Sequence, residues 1–244
     1  MQKKYDEMQN IIIFGASGHG SVVLDCIEKE GKYKVIGFID SFKKKGAIIN
    51  GYPILGTEFD LPFLIDKYNI RGGIVAIGDN WIRSSMVDRI NKISPNFSYV
   101  SVVHPSAEVG KGAQYGVGTV IMPGVIVNAN SVIGNFCLLN TNSSLGHDGF
   151  MQDFSSLAPK TCTGGNLILG KYSALCLGAN VIDSITIGEH TVVGAGSLVV
   201  GNLESNILAF GSPAKKIKVR NIGEPYMSGR KNKLDVIPLY KWEQ

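Results

Sequence analysis

Residues 120–134 read VIMPGVIVNANSVIG, with a large apolar residue at every sixth position: Ile121, Val127 and Ile133. Working outward, the same phase holds from Val103 to Val199 through Val109, Tyr115, Leu139, Leu145, Met151, Leu157, Thr163, Leu169, Leu175, Val181, Ile187 and Val193. Seventeen positions follow it without an insertion, and only Tyr115 and Thr163 are neither aliphatic nor methionine. Two residues before each large position lies a second, mostly small column, running from Ala107 and Ala113 through Ser131, Cys137 and Ser155 to Thr191 and Ser197. A period of six suits neither a helix nor one long strand. It suits a parallel β-helix, whose short repeats must stack to bury an apolar face. Residues two apart point the same way along a strand, so both columns face inward. If three hexads close one triangular coil, residues eighteen apart share an edge.

A chain of 244 residues, 44% hydrophobic and 18% charged, has the composition of a soluble globular protein with a sizeable core. No apolar run reaches membrane-spanning length, and the opening Met1–Glu7 lacks the apolar region of a secretory signal. Cys26, Cys137, Cys162 and Cys176 show no CxxC spacing, which fits reduced thiols in a cytoplasm. Cys137 falls in the small inward column and reads as buried filler. Residues 213–244 carry eight basic and three acidic residues, a net +5 that leaves −1 for the rest of a chain of net charge +4. This tail interleaves its charges with Gly, Pro and apolar residues and holds no recognisable nucleic-acid motif.

Before the repeat, strands and helices alternate. Ile11–Phe14 is a continuous apolar run, as expected of a strand buried on both faces. Gly15-Ala16-Ser17-Gly18-His19-Gly20 leads into a helix over 21–30. Strands are expected over 35–39, 73–77 and 97–103, helices over 58–68 and 81–93, and a Gly- and Lys-rich connection over 41–56. The fold class is thus a Rossmann-like parallel α/β unit (1–101), a β-helix (102–212) and a basic tail (213–244).

The glycine turn, GxxGxG rather than GxGxxG, opens a helix N-terminus where main-chain N–H groups favour phosphate. Asp40 ends the second strand, where a carboxylate can meet a ribose, and Gly78, Asp79 and Asn80 end the third. In the repeat, His147 is followed by Asp148, a carboxylate able to orient an imidazole and stabilise its charged form; an exposed surface pair would read the same way. Eighteen residues on lies Gly165, a main-chain donor for a developing oxyanion. No Ser-His-Asp triad competes, and His147 and Asp148 lack two further ligands for a metal.

The hexapeptide repeat, the opening FGASGHG, the stretch LLNTNSSLGHD and the ending Gly211-Ser212-Pro213-Ala214-Lys215 together resemble the sialic acid O-acetyltransferase/bacterial nucleotide-sugar N-acetyltransferase family over roughly residues 10–220. The resemblance implies a left-handed β-helix and acetyl transfer from acetyl-CoA to a nucleotide-linked 4-amino-4,6-dideoxy sugar. It also implies a homotrimer with acetyl-CoA between neighbouring β-helices; with the cysteine, motif and hydropathy readings above, the expectation is a bacterial cytoplasmic protein with neither metal, nucleic acid nor membrane insertion. It places the catalytic base at His147, its acidic partner at Asp148 and the oxyanion donor at Gly165. It places acceptor contacts at Gly15, Ala16, Ser17, Gly18, His19, Asp40, Gly78 and Asn80, and acetyl-CoA contacts at Ser156, Gly165, Gly194 and Lys215. Two positions depart from the pattern: Ser156 stands where some relatives have a second histidine, and Ser41 where many have a second acid. O-acetylation of a sialic acid, or a non-catalytic carbohydrate-binding scaffold, are the alternative readings.

Overall fold

In a computed structural model, residues 8–227 are described; the opening Met1–Glu7 and the basic residues Arg230, Lys231, Lys233 and Lys241 lie outside them. The first unit is a five-stranded sheet whose strands are β1 (Gln9–Phe14), β2 (Tyr33–Ile39), β3 (Ile48–Ile49), β4 (Tyr52–Gly56) and β5 (Gly72–Val75), in the order β3-β4-β2-β1-β5, with β1 in parallel register with β2 and β5. Helices α1 (Gly18–Glu30), α2 (Leu61–Tyr68) and α3 (Asn80–Ile93) cover it. The whole run Ile11–Phe14 is fully buried, as a central strand between two layers requires. The expected 41–56 connection instead forms a hairpin, β3 (Ile48–Ile49) and β4 (Tyr52–Gly56). Its turn is Asn50-Gly51, both at positive φ, the combination a tight hairpin needs. The expected strand over 97–103 reduces to one bridge, Gly73 to Tyr99, before the chain enters the repeat.

Seventeen two-residue strands then follow at six-residue intervals, β6 (Val102–Val103) to β22 (Leu198–Val199). The second residue of each is the large position of the six-residue phase. The strands form three parallel sheets in which residue i pairs with i+18, as Ile126 does with Ser144 and Leu138 with Ser156. The inward positions are buried from Ile121 to Val199. Val109 and Tyr115 are exposed because the first coil has no coil beneath it. In the small column, Thr119, Ser131, Ser173 and Thr191 are buried and donate to carbonyls of the next coil, so that no hydroxyl among these four is left without a partner. One face, β6-β9-β12-β15-β18-β21, is extended by β23 (Ile207–Gly211) and β24 (Ala214–Val219). The expected break between 212 and 213 therefore falls at the tip of a hairpin, and Ala214–Val219 continue the sheet.

The two units are locked by side chains at one corner of the coil. Phe136, Phe154, Tyr172 and His190, eighteen residues apart, stack with centroids 4.9, 5.5 and 4.6 Å apart. Trp81 of α3 packs on Tyr172 and His190. Beside this column Arg83, 3% exposed, sends Nε to the Phe136 carbonyl, Nη1 to those of Ile77 and Gly78, and Nη2 to Asn80 Oδ1 and the Phe154 carbonyl. No carboxylate forms an ion pair with this guanidinium among the described residues; five oxygens from both units satisfy it. Burial pulls its pKa down.

Candidate active site

His147 lies in the turn between β13 (Ser144–Leu145) and β14 (Phe150–Met151), the corner opposite the face that carries β24. Its Nδ1 is 2.7 Å from Asp148 Oδ2, and Asn130 Nδ2 donates to the other Asp148 oxygen at 3.4 Å. The His147 bond, with help from Asn130, holds the Asp148 carboxyl below the usual carboxylate range, so it is ionised at neutral pH. With Nδ1 donating to that carboxylate, the lone pair of the neutral ring is at Nε2. The ring lies over Gly165: a Cβ there would come within 2.4 Å of Nε2 and 2.5 Å of Cε1. The eighteen-residue spacing thus brings His147, Asp148 and Gly165 together. Gly165→Ala is expected to keep the fold and lower kcat about 10²-fold by displacing the imidazole. Parent-like kcat with an unshifted melting temperature would show that the clearance at Gly165 is immaterial.

Thr163, a polar residue in the column of large inward positions, has a local task. Elsewhere in the coil a residue after the large position donates to a main-chain carbonyl one coil on, as Asn128 N–H does to Leu145 and Gly164 N–H to Val181. Gly146 N–H instead donates to Thr163 Oγ1 at 3.0 Å. Here β13 and β16 (Cys162–Thr163) pair through Ser144 and Cys162 alone, whereas neighbouring rungs pair through two residues. The ladder is therefore broken beside His147 and mended by a hydroxyl. The oxyanion expectation for Gly165 meets an obstacle: its N–H donates to Asp183 Oδ1 at 3.1 Å, the side chain one coil further on. As folded, that donor is engaged, and an acyl oxygen reaches it only when Asp183 releases it.

At the other expected site, the glycine turn is built as anticipated. Gly15 has φ +101° and a Cβ there would come within 2.9 Å of the Ala76 carbonyl, so the close approach of β1 to β5 demands glycine. Ser17 makes no side-chain cap, the first turn of α1 holds no acid, and Ser17 and Gly18 at its N-terminus are exposed. Asp40 holds the turn: Oδ2 accepts from Ala16 N–H at 2.8 Å and Oδ1 from Phe42 and Lys43 N–H. Burial, the largest single influence, pushes the Asp40 carboxyl up, but these donors and Lys43 outweigh it and hold the group below the usual range. Ser41 donates to buried Glu58, which also pairs with Arg89.

Burial and then the charge of Arg83 push the His19 imidazole down to about 4 from 6.5. Below pH 6.5 the unfolded chain takes up a proton at this residue that the folded chain refuses until pH 4, so stability falls with pH across that window. The loss is on the order of 3 kcal/mol by linkage. His19→Gln is expected to flatten this part of the urea-unfolding pH profile; an unchanged difference between pH 7 and pH 4.5 would exclude His19 as its source.

Two expected contacts, Asn80 and Gly194, stand differently in the fold. Asn80 is 1% exposed, its amide donating to the Tyr172 and Ser173 carbonyls and its oxygen accepting from Arg83, so it joins the two units and is not open to a ligand. Gly194 is buried beneath the Phe210 ring, which a Cβ there would meet at 2.1 Å. Lys215 lies exposed on β24. Ser156 and Gly78 line a cavity of about 310 Å³ on the face opposite the His147 corner. Its walls include Leu138, Leu157, Leu175 and Met227, with the Tyr226 hydroxyl 3.3 Å from Ser156 Oγ. Neither Arg83 nor Tyr226 was foreseeable as a site neighbour from local pattern. Among the described residues, no group of three His, Cys, Asp or Glu is placed to hold a metal, and no helix is long and apolar enough to cross a membrane.

Six-residue rungs carrying a carboxylate-backed histidine at one corner define a hexapeptide acyltransferase. Residues 10–90 match the PglD N-terminal domain family. GDP-perosamine N-acetyltransferase of Escherichia coli O157:H7 is 26% identical over 221 residues, covering 84% of this chain and 95% of that protein. PerB from Caulobacter crescentus, solved with CoA and GDP-perosamine, superposes with a TM-score of 0.80 at 34% identity over 86% of this chain and 97% of its own. The acetyltransferase domain of PglB from Neisseria gonorrhoeae, solved with acetyl coenzyme A, gives 0.78 at 28% identity over 86% and 100%. The chain belongs to the bacterial sugar N-acetyltransferase family of hexapeptide acyltransferases and is an acetyl-CoA-dependent acetyltransferase.

Proposed function

We propose that this enzyme acetylates the 4-amino group of a nucleotide-linked 4-amino-4,6-dideoxy sugar, with His147 as general base. One observation carries the reading: His147 Nδ1 is held by ionised Asp148 while Nε2 projects over Gly165 with no side chain in its way. The neutral amine attacks the thioester carbonyl carbon, and His147 Nε2 accepts the proton that the nitrogen must lose. Asp148 stabilises the imidazolium so formed. The C–S bond then breaks, and the proton passes from His147 to the departing sulfur. Gly165 is assigned to giving the imidazole room, and to the oxyanion only once Asp183 has turned away. The unit before Val102 is assigned to acceptor recognition through Gly15–His19, Asp40 and Gly78, and the β-helix to acetyl transfer. PerB, solved in complex with CoA and GDP-perosamine, supports acetyl transfer to a nucleotide-linked amino sugar.

The chain is further proposed to act as a homotrimer in the bacterial cytoplasm. His147 and the Ser156 cavity lie on opposite sides of one coil, so a single copy does not bring base and cavity together; a neighbouring copy supplies the missing half. Val132, Phe150 and Ile168 support this, forming an exposed apolar row on the face next to the His147 corner. Thiol release from acetyl-CoA, measured against UDP-, dTDP- and GDP-linked 4-amino sugars and free or CMP-linked sialic acid, tests the function. Release is expected only with a nucleotide-linked amino sugar. Release with sialic acid alone would replace N-acetylation by O-acetylation.

A further inference from the structure

Past β24 the chain turns back over the junction of the two units. Asn221 N–H donates to Glu224 Oε2 at 3.2 Å, and Lys218 pairs with Glu224 Oε1 at 2.5 Å. Gly223 sits against the Trp81 indole, which a Cβ there would meet at 2.7 Å. Tyr226 N–H reaches Asp79 Oδ2 at 3.5 Å. These anchors deliver Tyr226 and Met227 to the 310 Å³ cavity. Met227 lies 3.3 Å from where a Gly78 Cβ would stand. The Tyr226 hydroxyl stands between Ser156 Oγ at 3.3 Å and the Gly78 carbonyl at 3.5 Å. In the function proposed above, Gly78 belongs to the acceptor side and Ser156 to the acetyl-CoA side. The phenol therefore bridges the places assigned to the two substrates, in a cavity otherwise walled mainly by Leu, Ala, Pro and Met.

We propose that Tyr226 is a positioning residue for the acceptor sugar, its hydroxyl forming with Ser156 a polar edge on an apolar pocket. This rests on the functional reading above. An apolar pocket with a few placed polar groups is the usual form of a small-molecule site, the polar groups fixing orientation. Burial pushes the Tyr226 hydroxyl up to about 12, so it stays a neutral donor at working pH. Both of its contacts are long, so the hydroxyl can exchange them for a sugar oxygen without leaving a strong bond unmade.

Tyr226→Phe keeps the ring and removes the donor. It is expected to raise the acceptor KM about 3–10-fold, the loss of one hydrogen bond, with kcat, acetyl-CoA KM and melting temperature close to the parent. Tyr226→Ala should raise the same KM at least as far and also lower the melting temperature, which Tyr226→Phe restores while leaving KM impaired. A calorimetric titration of the acceptor without acetyl-CoA should show the same weakening. An unchanged acceptor KM in Tyr226→Phe, or a rise in acetyl-CoA KM alone, overturns the assignment while parent turnover leaves the functional reading standing. Absence of thiol release from the parent with every acceptor overturns both.

Discussion

His147→Ala is expected to lower kcat by about 10²–10⁴-fold, the usual cost of removing one positioned general base. The effect should fall on chemistry and spare folding. The side chain is 62% exposed, and its hydrogen bond goes to a neighbour that is itself about half exposed. Its removal therefore leaves no buried group without a partner. The KM for acetyl-CoA should change little, because an imidazole that accepts a proton acts mainly in the transition state. Single-turnover thiol release, with the melting temperature measured alongside, checks this. Turnover within tenfold of the parent would remove His147 from the mechanism and return the His147–Asp148 pair to the surface contact its sequence also allows.

Arg83→Met is expected to destabilise the fold by about 3–5 kcal/mol. Methionine fills much of the volume but brings no donors. Four carbonyls, those of Ile77, Gly78, Phe136 and Phe154, and Asn80 Oδ1 would lose their bonds to Arg83, those at Phe136, Phe154 and Asn80 in buried surroundings. An unmade bond to a buried acceptor costs about 1–3 kcal/mol, and partial relaxation keeps the total below the sum. Urea unfolding followed through Trp81 fluorescence, placed at this junction, measures it. A change under about 1 kcal/mol would mean that the bonds of Arg83 do not hold the two units together.

The six-residue phase made the β-helix legible to the residue, because each rung must bury its large position whatever lies outside. The eighteen-residue spacing made the His147–Gly165 contact legible for the same reason. One more step of eighteen leads from Gly165 to Asp183, and the same step links Phe136, Phe154, Tyr172 and His190. Both the occupied N–H and the aromatic column thus followed a rule already in hand. Asn80 and Arg83 did not. A polar residue after a strand reads as open to ligand, and an arginine on a helix reads as solvated; only docking of the second unit buries them. The β3–β4 hairpin lay within reach, since Asn50-Gly51 between Ile49 and Tyr52 is a turn flanked by strand formers. The contacts of Tyr226 were not legible, because the segment that carries it has no repeat to set its register.

A guanidinium that bonds to carbonyls on both sides of a junction ties the two units together at that point. The glycine turn and the rungs of the coil therefore stand at one fixed separation, and the assembly works as a caliper. In the function proposed above, an acceptor held by its nucleotide at the glycine turn would present its amine at a single height along the coil, set by the length of its own linkage. On that proposal, sugars joined through a shorter or longer bridge would arrive at the wrong rung and be refused by reach, without any contact made against them.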